Sequence, residues 1–390
     1  MDAGFVDKIV AHCIEVYQKL PKTGKPIPTE WTVMSCIIEL DTNNKFKVIS
    51  LGTGSKCIGA TKMCPKGLLL NDSHAEVLAR RGFLVYLYEN IDAALKGSKS
   101  IFKVQDNYCS LKDGITFAFY SSQLPCGDAS IIPKAGDEQQ FGDLVLNRKR
   151  KVDETDGDKG TNDIHRTGAK CLPESQQDPK SEGLNYHLLG QVRTKPGRGD
   201  RTLSVSCSDK MARWTYLGIQ GSLINMLLLE PIYISYYIFG ANNPYSEESL
   251  TRALICRNNA DLKLECTPKF YQSNIEFMSA RNNESFVFFY FRILEVAIQG
   301  KKLGVTKKNK NSPSCCLSVS KYSLFRRYIT ILKNNKHLKH ILLPDTDLSE
   351  VKYDDIKRRS SKYNDRWIFI KDKFFKLWTV KPKMWHFSYT

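Results

Sequence analysis

The chain has 390 residues, and its 58 Lys and Arg against 41 Asp and Glu give a formal net charge of +17. A hydrophobic fraction of 42% and an aromatic fraction of 11% exclude a disordered chain and supply a sizeable core. The charge favours a polyanionic partner such as a nucleic acid or an inositol phosphate, although a basic surface without such a partner has the same composition.

The location of the protein is predicted from what its sequence lacks. No apolar run approaches the ~20 residues that span a bilayer, and the start, MDAGFVDKIVAHC, is acidic where a signal peptide is basic. Twelve cysteines without regular spacing fit reduced thiols better than a disulfide framework. We therefore expect an intracellular protein, in the nucleus, the cytoplasm or both, without a membrane partner.

The first elements follow from hydrophobic periodicity. Apolar residues at helical spacing predict a helix over 4–20, and β-branched runs at 31–40 and 46–54, joined by the polar turn DTNNK, predict a β-hairpin. The mostly apolar stretch 74–91 predicts a buried helix, and 114–122 predicts the next strand. The segment LPCGDAS then reads as a tight turn that could lead into a helix.

Residues 134–186 are poor in aliphatic side chains and rich in Asp, Lys, Gly, Gln and Asn, which predicts a surface insertion. Within it, NRKRKVD (147–153) could be a nuclear signal, an RNA-binding patch or a solvated run of charge.

The apolar pattern resumes at Thr202. Residues 209–229 predict a long buried helix, and the strand PIYISYYIF follows it. A second polar stretch, 300–314, precedes a helical C-terminal portion. We expect one domain over residues 1–390, with its core at about 30–240 and a C-terminal helical part at about 241–390.

Two short motifs carry chemistry. His74 and Glu76 form H-A-E, and Pro125-Cys126 opens P-C-G-D, so that together they match most of the zinc deaminase signature H-x-E…P-C-x-x-C. In such a site the metal keeps one open position for a water whose pKa it lowers, and the carboxylate shuttles protons without binding the metal. A helix start at Cys126 would favour the thiolate.

The third ligand departs from the signature, because residue 129 is alanine where C-x-x-C needs a cysteine. Cys207 is the best candidate, since SVSCSDKMARW places it at a predicted strand-to-helix junction, but its spacing from Cys126 proves nothing by itself.

Four motifs in one order, NDSHAEVLARRGFLVYL, PCGDAS, SCSDKMARW and LGIQGSLINMLLLEPIYIS, resemble the adenosine deaminase domain of the RNA editing enzymes and of the tRNA adenosine deaminase that acts beside the anticodon. The resemblance covers nearly the whole chain. It implies an α/β fold with a three-layer cytidine-deaminase-like core, a mixed sheet flanked by helices and an elaborated C-terminal helical part. It also implies His74, Cys126 and Cys207 as zinc ligands and Glu76 as the catalytic proton shuttle.

The segments HRTGAKC (165–171) and KPGRGDRTLSVSCSDKMARW (195–214) resemble the tRNA branch most closely. Ser130 points the same way, because the editing enzymes usually carry an RNA-contacting arginine there. The substrate implied is the adenosine immediately 3′ of the anticodon, nucleotide 37, of alanine tRNA, and no obligatory protein partner is expected. In the loop after the second strand, Ser55 and Lys56 would approach the RNA, although Lys56 could equally be a solvated loop lysine.

The same resemblance implies a second cofactor, inositol hexakisphosphate, buried in the core. Its matching positions are Asn71, Arg80, Arg81, Lys210, Arg213, Ser222, Lys321, Tyr353, Lys357, Tyr363, Trp378 and Lys381. Arg80 and Arg81 point about 100° apart on an apolar helix, so at least one is hard to keep in water, unless both pair with carboxylates. Trp367 stands where the editing enzymes carry a lysine, and Asp72 with Lys210 would relay the inositol phosphate to the zinc site.

Three alternatives stay open. The chain could edit duplex RNA with the same chemistry, or it could be an inactive protein that binds RNA or inositol phosphate, which Glu76 argues against. It could also hold a structural zinc closed by a fourth ligand, for which Cys57, Cys64 and Cys171 are candidates.

Overall fold

The structure is a computed structural model, and it describes the chain in twelve stretches. These are residues 1–23, 25, 32–132, 167–181, 185–197, 200–241, 243–257, 262–277, 286–290, 293–309, 312–381 and 385–389. Most of the predicted insertion, including NRKRKVD, lies outside the described residues.

Within its described residues, the first half of the chain contains two long helices and seven strands. They are α1 (Ala3–Lys19), β1 (Met34–Leu40), β2 (Phe46–Thr53), α2 (Ala75–Leu95), β3 (Phe102–Gln105), β4 (Tyr108–Leu111), β5 (Thr116–Ser121), β6 (Lys170–Cys171) and β7 (Arg193–Thr194). The predicted first helix, hairpin, buried helix and following strand are therefore confirmed within a few residues.

The second half alternates short helices and strands before it becomes helical. Its elements are α3 (Cys207–Leu217), α4 (Ser222–Asn225), β8 (Tyr236–Phe239), α5 (Glu247–Leu254), β9 (Lys269–Gln272), β10 (Phe286–Tyr290), β11 (Ile293–Ile298), β12 (Lys301–Lys302), α6 (Lys321–Asn334), α7 (Lys336–Leu342), α8 (Tyr353–Arg359) and α9 (Ser361–Ile370). A π-helical turn, Lys371–Phe375, continues α9.

Eight strands form one mixed sheet in the order β12-β11-β10-β2-β1-β5-β8-β9. The pairs from β12 to β5 are antiparallel, whereas β8 runs parallel to both β5 and β9. Because parallel neighbours need a crossover connection, the chain between β5 and β8 leaves the sheet, and that excursion carries α3 and α4.

Alternate residues of the central strands separate two cores. Cys36 and Ile38 of β1 pack with α1 on one face, while Ile37 packs with α2 on the other. The sheet therefore lies between helices, as the predicted three-layer α/β architecture requires. None of the helices within the described residues is long and apolar enough to cross a bilayer.

One predicted helix is wrong in detail. The single long helix predicted over 209–229 is broken, because Gly218 and Gly221 adopt φ of 80° and 77°, and the Gln220 side chain bonds the freed carbonyl of Leu217 at 2.9 Å. The turn after Cys126 leads into a 3₁₀ turn, Asp128–Ser130, and any helix beyond residue 132 lies outside the described residues. The predicted C-terminal helices are present, and the same part of the chain also supplies four strands to the sheet.

Candidate active site and adjoining basic cavity

The start of α2 places the first two candidate residues. His74 is the N-cap residue, and Glu76 lies in the first turn with only 3% of its surface exposed. Gly52 of β2 lets this end of α2 rest on the sheet, since a Cβ there would lie 2.7 Å from the Ala75 carbonyl oxygen. The site is thus fixed by close backbone packing.

The structure brings His74, Cys126 and Cys207 together. The His74 Nδ1 atom lies 3.7 Å from the Cys207 sulfur and 4.0 Å from the Cys126 sulfur, and the three ligand atoms all lie within 4.8 Å of one another. Tetrahedral zinc with nitrogen and sulfur ligands needs N–S separations of about 3.5 Å. The donor set therefore fits zinc in both chemistry and spacing.

The two thiols differ in their surroundings. A hydrogen bond with Cys207 holds the pKa of the Cys126 thiol well below its ordinary value, and Lys195 and His74 act in the same direction. Burial raises the pKa of the Cys207 thiol. Cys207 begins α3, so the predicted helix junction is confirmed there, whereas Cys126 owes its favoured thiolate to its neighbours.

Ser208 joins the two cysteine segments. Its backbone N–H donates to the Cys126 carbonyl at 3.0 Å. Its hydroxyl accepts the Ala129 N–H at 3.1 Å and donates to the same Cys126 carbonyl at 2.9 Å. Alanine at 129 therefore contributes a backbone donor where the simple signature has a ligand. This contact explains how sulfurs 81 residues apart in sequence share one site.

A buried lysine that the sequence analysis missed also contacts the centre. Lys195 is 1% exposed and donates to the Cys207 sulfur at 3.0 Å and to Asp72 at 2.9 Å. Lys210 donates to the same carboxylate, and Asp72 accepts the His74 N–H at 3.0 Å. Although burial opposes its ionisation, Lys195 and Lys210 hold the pKa of Asp72 well below its usual range.

Asp72 and Lys210 are therefore in contact, as the predicted relay requires, and Lys195 completes the path from Asp72 to Cys207. The motif search missed Lys195 because it considered metal ligands and acids, and a lysine in RTKPG carries no spacing signal. The signal available was its place within the segment that most resembles the tRNA branch.

A cavity of about 410 Å³ lies one helical turn beyond the centre. All twelve positions predicted for the inositol phosphate line it, although they come from separated parts of the chain. Its cations are Arg80, Arg81, Lys210, Arg213, Lys321, Lys357 and Lys381. Asp72 is the single carboxylate among the described lining residues, and it already pairs with Lys195 and Lys210.

These cations destabilise one another's charge. Burial lowers the pKa of Lys381 to about 8, and Lys210 and Lys357 add to that effect. Burial also lowers the pKa of Lys321 well below its ordinary value, with Lys381 and Arg81 as further causes. Both polar atoms of the Asn71 side chain are buried without a hydrogen bond in the described structure. Groups so arranged fit an enclosed polyanion.

The surroundings of four other positions named in the sequence analysis, Trp367, Ser130, Ser55 and Lys56, are as follows. Trp367 is not among the residues lining the cavity, and its ring stacks on the Arg213 guanidinium at 3.8 Å. The Ser130 hydroxyl donates to the Pro125 carbonyl at 2.8 Å, within the loop that carries Cys126. Ser55 and Lys56 follow β2 and precede an antiparallel bridge between Cys57 and Asp72, so their loop lies beside the His74 turn.

Three cysteines were considered as a fourth ligand. Among the described residues, Cys57 is the one of these three whose sulfur lies within 4.8 Å of a possible ligand atom of His74 and of Asp72. That group does not include Cys126 or Cys207. The Cys171 sulfur instead contacts the Arg193 guanidinium at 3.2 Å.

The chain matches the family model described as the adenosine-deaminase (editase) domain over residues 50–382. It therefore belongs to the adenosine-deaminase (editase) domain family, as its motifs predicted. It is 36% identical to the tRNA-specific adenosine deaminase 1 of Drosophila melanogaster, over 97% of this chain and 95% of that protein. It is 31% identical to the protein of the same description from Homo sapiens, over 97% and 99%. The double-stranded RNA-specific editase Adar of Drosophila melanogaster is 36% identical over only 60% of this chain and 33% of its own length.

Proposed function

We propose that this protein is a zinc-dependent tRNA adenosine deaminase that converts adenosine to inosine by hydrolysis and releases ammonia. The observation that carries the proposal is the convergence of His74, Cys126 and Cys207 beside a buried carboxylate with an unpartnered oxygen. In the described structure the Oε2 atom of Glu76 is buried and has no hydrogen-bond partner. Leaving such an acceptor buried costs about 1–3 kcal/mol, which a proton-shuttling role explains and a structural one does not.

The metal would be held by His74 Nδ1 and the two sulfurs. A zinc ion with three protein ligands supplies Lewis acidity that activates a water molecule at its open position. Glu76 would take one proton from the attacking water and deliver it to N1 of adenine as oxygen adds at C6. It would then move the remaining proton from the new C6 hydroxyl to the amine, so that the C6–N bond breaks, C6 becomes a carbonyl and ammonia leaves.

The cavity supports the second proposed cofactor, inositol hexakisphosphate. Seven cations that face one carboxylate require an anion of high charge, and the twelve predicted positions surround one volume. Lys210 would contact the anion and Asp72 at once, and Lys195 would then connect Asp72 with Cys207. A bound polyanion would thereby fix the position of Lys210 and, through it, the carboxylate that accepts the His74 N–H.

The substrate we propose is adenosine 37, immediately 3′ of the anticodon, in alanine tRNA. The support is the near full-length similarity to proteins described as tRNA-specific, compared with a partial match to the duplex editase. An anticodon-loop base is already unpaired, so turning it into the site costs less than extracting a base from a duplex. Ser55 and Lys56 would contact the RNA backbone beside this base.

The test is to incubate the purified protein and its Glu76→Gln variant with unmodified alanine tRNA and to sequence the RNA for inosine. Glutamine keeps the size of the side chain but cannot carry the proton, so we expect kcat to fall by about 10²–10⁴-fold. Zinc content by mass spectrometry should stay at one equivalent in both proteins.

A metal-loaded wild type that leaves adenosine 37 unchanged would contradict the tRNA assignment, and a fully active glutamine variant would contradict the mechanism. Alanine tRNA in which uridine replaces adenosine 37 is the substrate control. A perfect RNA duplex, run in parallel, separates tRNA deamination from duplex editing.

A further inference from the structure

The loop that carries Ser55 and Lys56 is tied to the candidate metal centre by backbone hydrogen bonds. We call residues 54–62 the rim loop. In its first half, the Gly54 carbonyl accepts the Ala75 N–H and the Lys56 carbonyl accepts the Ser73 N–H, both at 2.9 Å. These bonds fix where the rim loop begins but leave its second half, beyond Ile58, to other contacts.

That second half is held by one partly exposed carboxylate. The Oδ2 atom of Asp200 accepts the Thr61 N–H at 2.9 Å and the Thr61 hydroxyl at 2.5 Å. These hydrogen bonds lower the pKa of Asp200. Next to them, the Ala60 N–H donates to the Arg201 carbonyl at 2.8 Å. Two consecutive rim-loop residues are therefore bound to Asp200 and Arg201.

Gly59 makes this close approach possible. A Cβ atom built on Gly59 would overlap the Asp200 carboxylate, so a larger residue would push the two loops apart. The φ of Gly59 is −67°, which any residue can adopt, so the lack of space and not the backbone conformation requires glycine here.

Both loops end at the metal centre. Asp200 follows Lys195 by five residues, and Lys195 donates to the Cys207 sulfur and to Asp72. The rim loop leads in the same way into the turn that carries Asp72 and His74. The rim loop and the segment that carries Lys195 and Asp200 are therefore each bound to the metal centre, and Asp200 also joins them to each other at the rim.

The sign of the charge makes Asp200 unusual in this position. The chain carries +17, and a partly exposed carboxylate beside a loop that meets RNA repels phosphate. If Asp200 had no positioning role, the Asp200→Ala protein would bind RNA more tightly than the wild type.

We propose that Asp200 is a positioning residue that holds the second half of the rim loop in the conformation in which the loop, with Ser55 and Lys56 in its first half, meets the RNA. This inference rests on the proposed function for its substrate, whereas the clasp formed by Asp200, Thr61 and Gly59 is independent of it.

The experiment compares wild type with Asp200→Ala, Thr61→Val and Gly59→Ala on alanine tRNA. Each variant should raise KM about three- to tenfold and leave kcat within about twofold, because the chemistry at Glu76 is untouched. The slope of log Kd against log salt should fall by about one if the phosphate contact of Lys56 is lost. The Asp200→Ala/Thr61→Val double variant should bind no worse than the more affected single variant, since both changes break one contact.

The matched control is Asp41→Ala. Asp41 accepts the N–H groups of Asn43 and Lys45 in the β1–β2 turn, at the end of the hairpin opposite the site. This variant should leave KM unchanged. An Asp200→Ala protein with unchanged or lower KM would overturn the proposal, because removing a negative charge without a positioning role strengthens RNA binding.

Hydrogen exchange keeps the inference separate from the proposed function. In the RNA-free protein the Ala60 and Thr61 amides should be protected, and in Asp200→Ala the Thr61 amide should exchange at least tenfold faster. Unchanged exchange would reject the clasp even if the enzyme edits tRNA, and lost protection would support it even if alanine tRNA is not the substrate. Zinc content and thermal unfolding identify any variant that has lost its fold, in which case Thr61→Val, which keeps all backbone groups, decides.

Discussion

The candidate metal centre and the basic cavity lie one turn apart on α2, yet they balance charge differently. At the centre, the buried Lys195 has partners within the chain, because it donates to both Asp72 and the Cys207 sulfur. In the cavity, the described residues place no carboxylate within ion-pair distance of Lys321, Lys357 or Lys381. From this comparison we propose that the centre is organised by the fold, whereas the cavity needs a bound anion before the fold is stable.

Lys321→Met tests the larger difference. If the cavity holds a polyanion, removing one of the enclosing cations leaves anionic charge unpaired and should lower the free energy of unfolding by about 3–5 kcal/mol. If the cavity holds no anion, the same change relieves repulsion from Lys381 and Arg81 and should stabilise the protein. Thermal and chemical unfolding give the sign, and Lys336→Met at the exposed start of α7 is the control, expected within about 0.5 kcal/mol of wild type.

The pH dependence of stability gives a second sign. Without an anion, the pKa of Lys381 is about 8 in the folded protein, against 10.5 for an ordinary lysine. Between these values the unfolded chain binds the proton that the folded chain has lost, so stability rises with pH, by on the order of 3 kcal/mol. With a polyanion bound, Lys381 stays charged and this rise is absent. Urea unfolding from pH 7.5 to 10 decides, and Lys381→Met should reduce any rise that is seen to the part that other buried lysines such as Lys321 contribute.

The two regions also differ in how far the sequence predicted them. His74, Glu76 and Cys126 follow from a short signature, because metal chemistry restricts both residue type and spacing. Cys207 and the twelve cavity positions were predicted mainly from family resemblance. Nothing in the local sequence marks these residues, because they come together only when the chain has returned to the sheet and β8 lies beside β5. Hydrophobic periodicity predicted α1, β1, β2 and α2, but it missed the break at Gly218, where positive φ overrides an apolar pattern.

Lys195→Met tests the part of the centre that the sequence analysis missed. The methionine keeps the length of the side chain but removes the donor to the Cys207 sulfur and to Asp72. Outer contacts of metal ligands are typically worth 10–100-fold, so we expect a loss of that size in zinc affinity, measured by competition with a chelator. Unchanged affinity would show that the buried ion pair serves the fold alone. Lys170→Met, on the exposed side of β6, provides the control.

Ser208→Ala should have the smallest effect, and it tests whether the centre is organised by the fold before metal binds. Alanine removes the hydroxyl that bridges the Cys126 carbonyl and the Ala129 N–H, but it keeps the backbone bond from residue 208 to Cys126. One buried hydrogen-bonding group lost without a replacement costs about 1–3 kcal/mol in unfolding free energy. If the two cysteine segments are already held in place before metal binds, this cost is the same in zinc-loaded and zinc-depleted protein. A cost seen only after depletion would mean that the metal itself holds the two cysteine segments together, and the centre would then depend on its ligand as the cavity does.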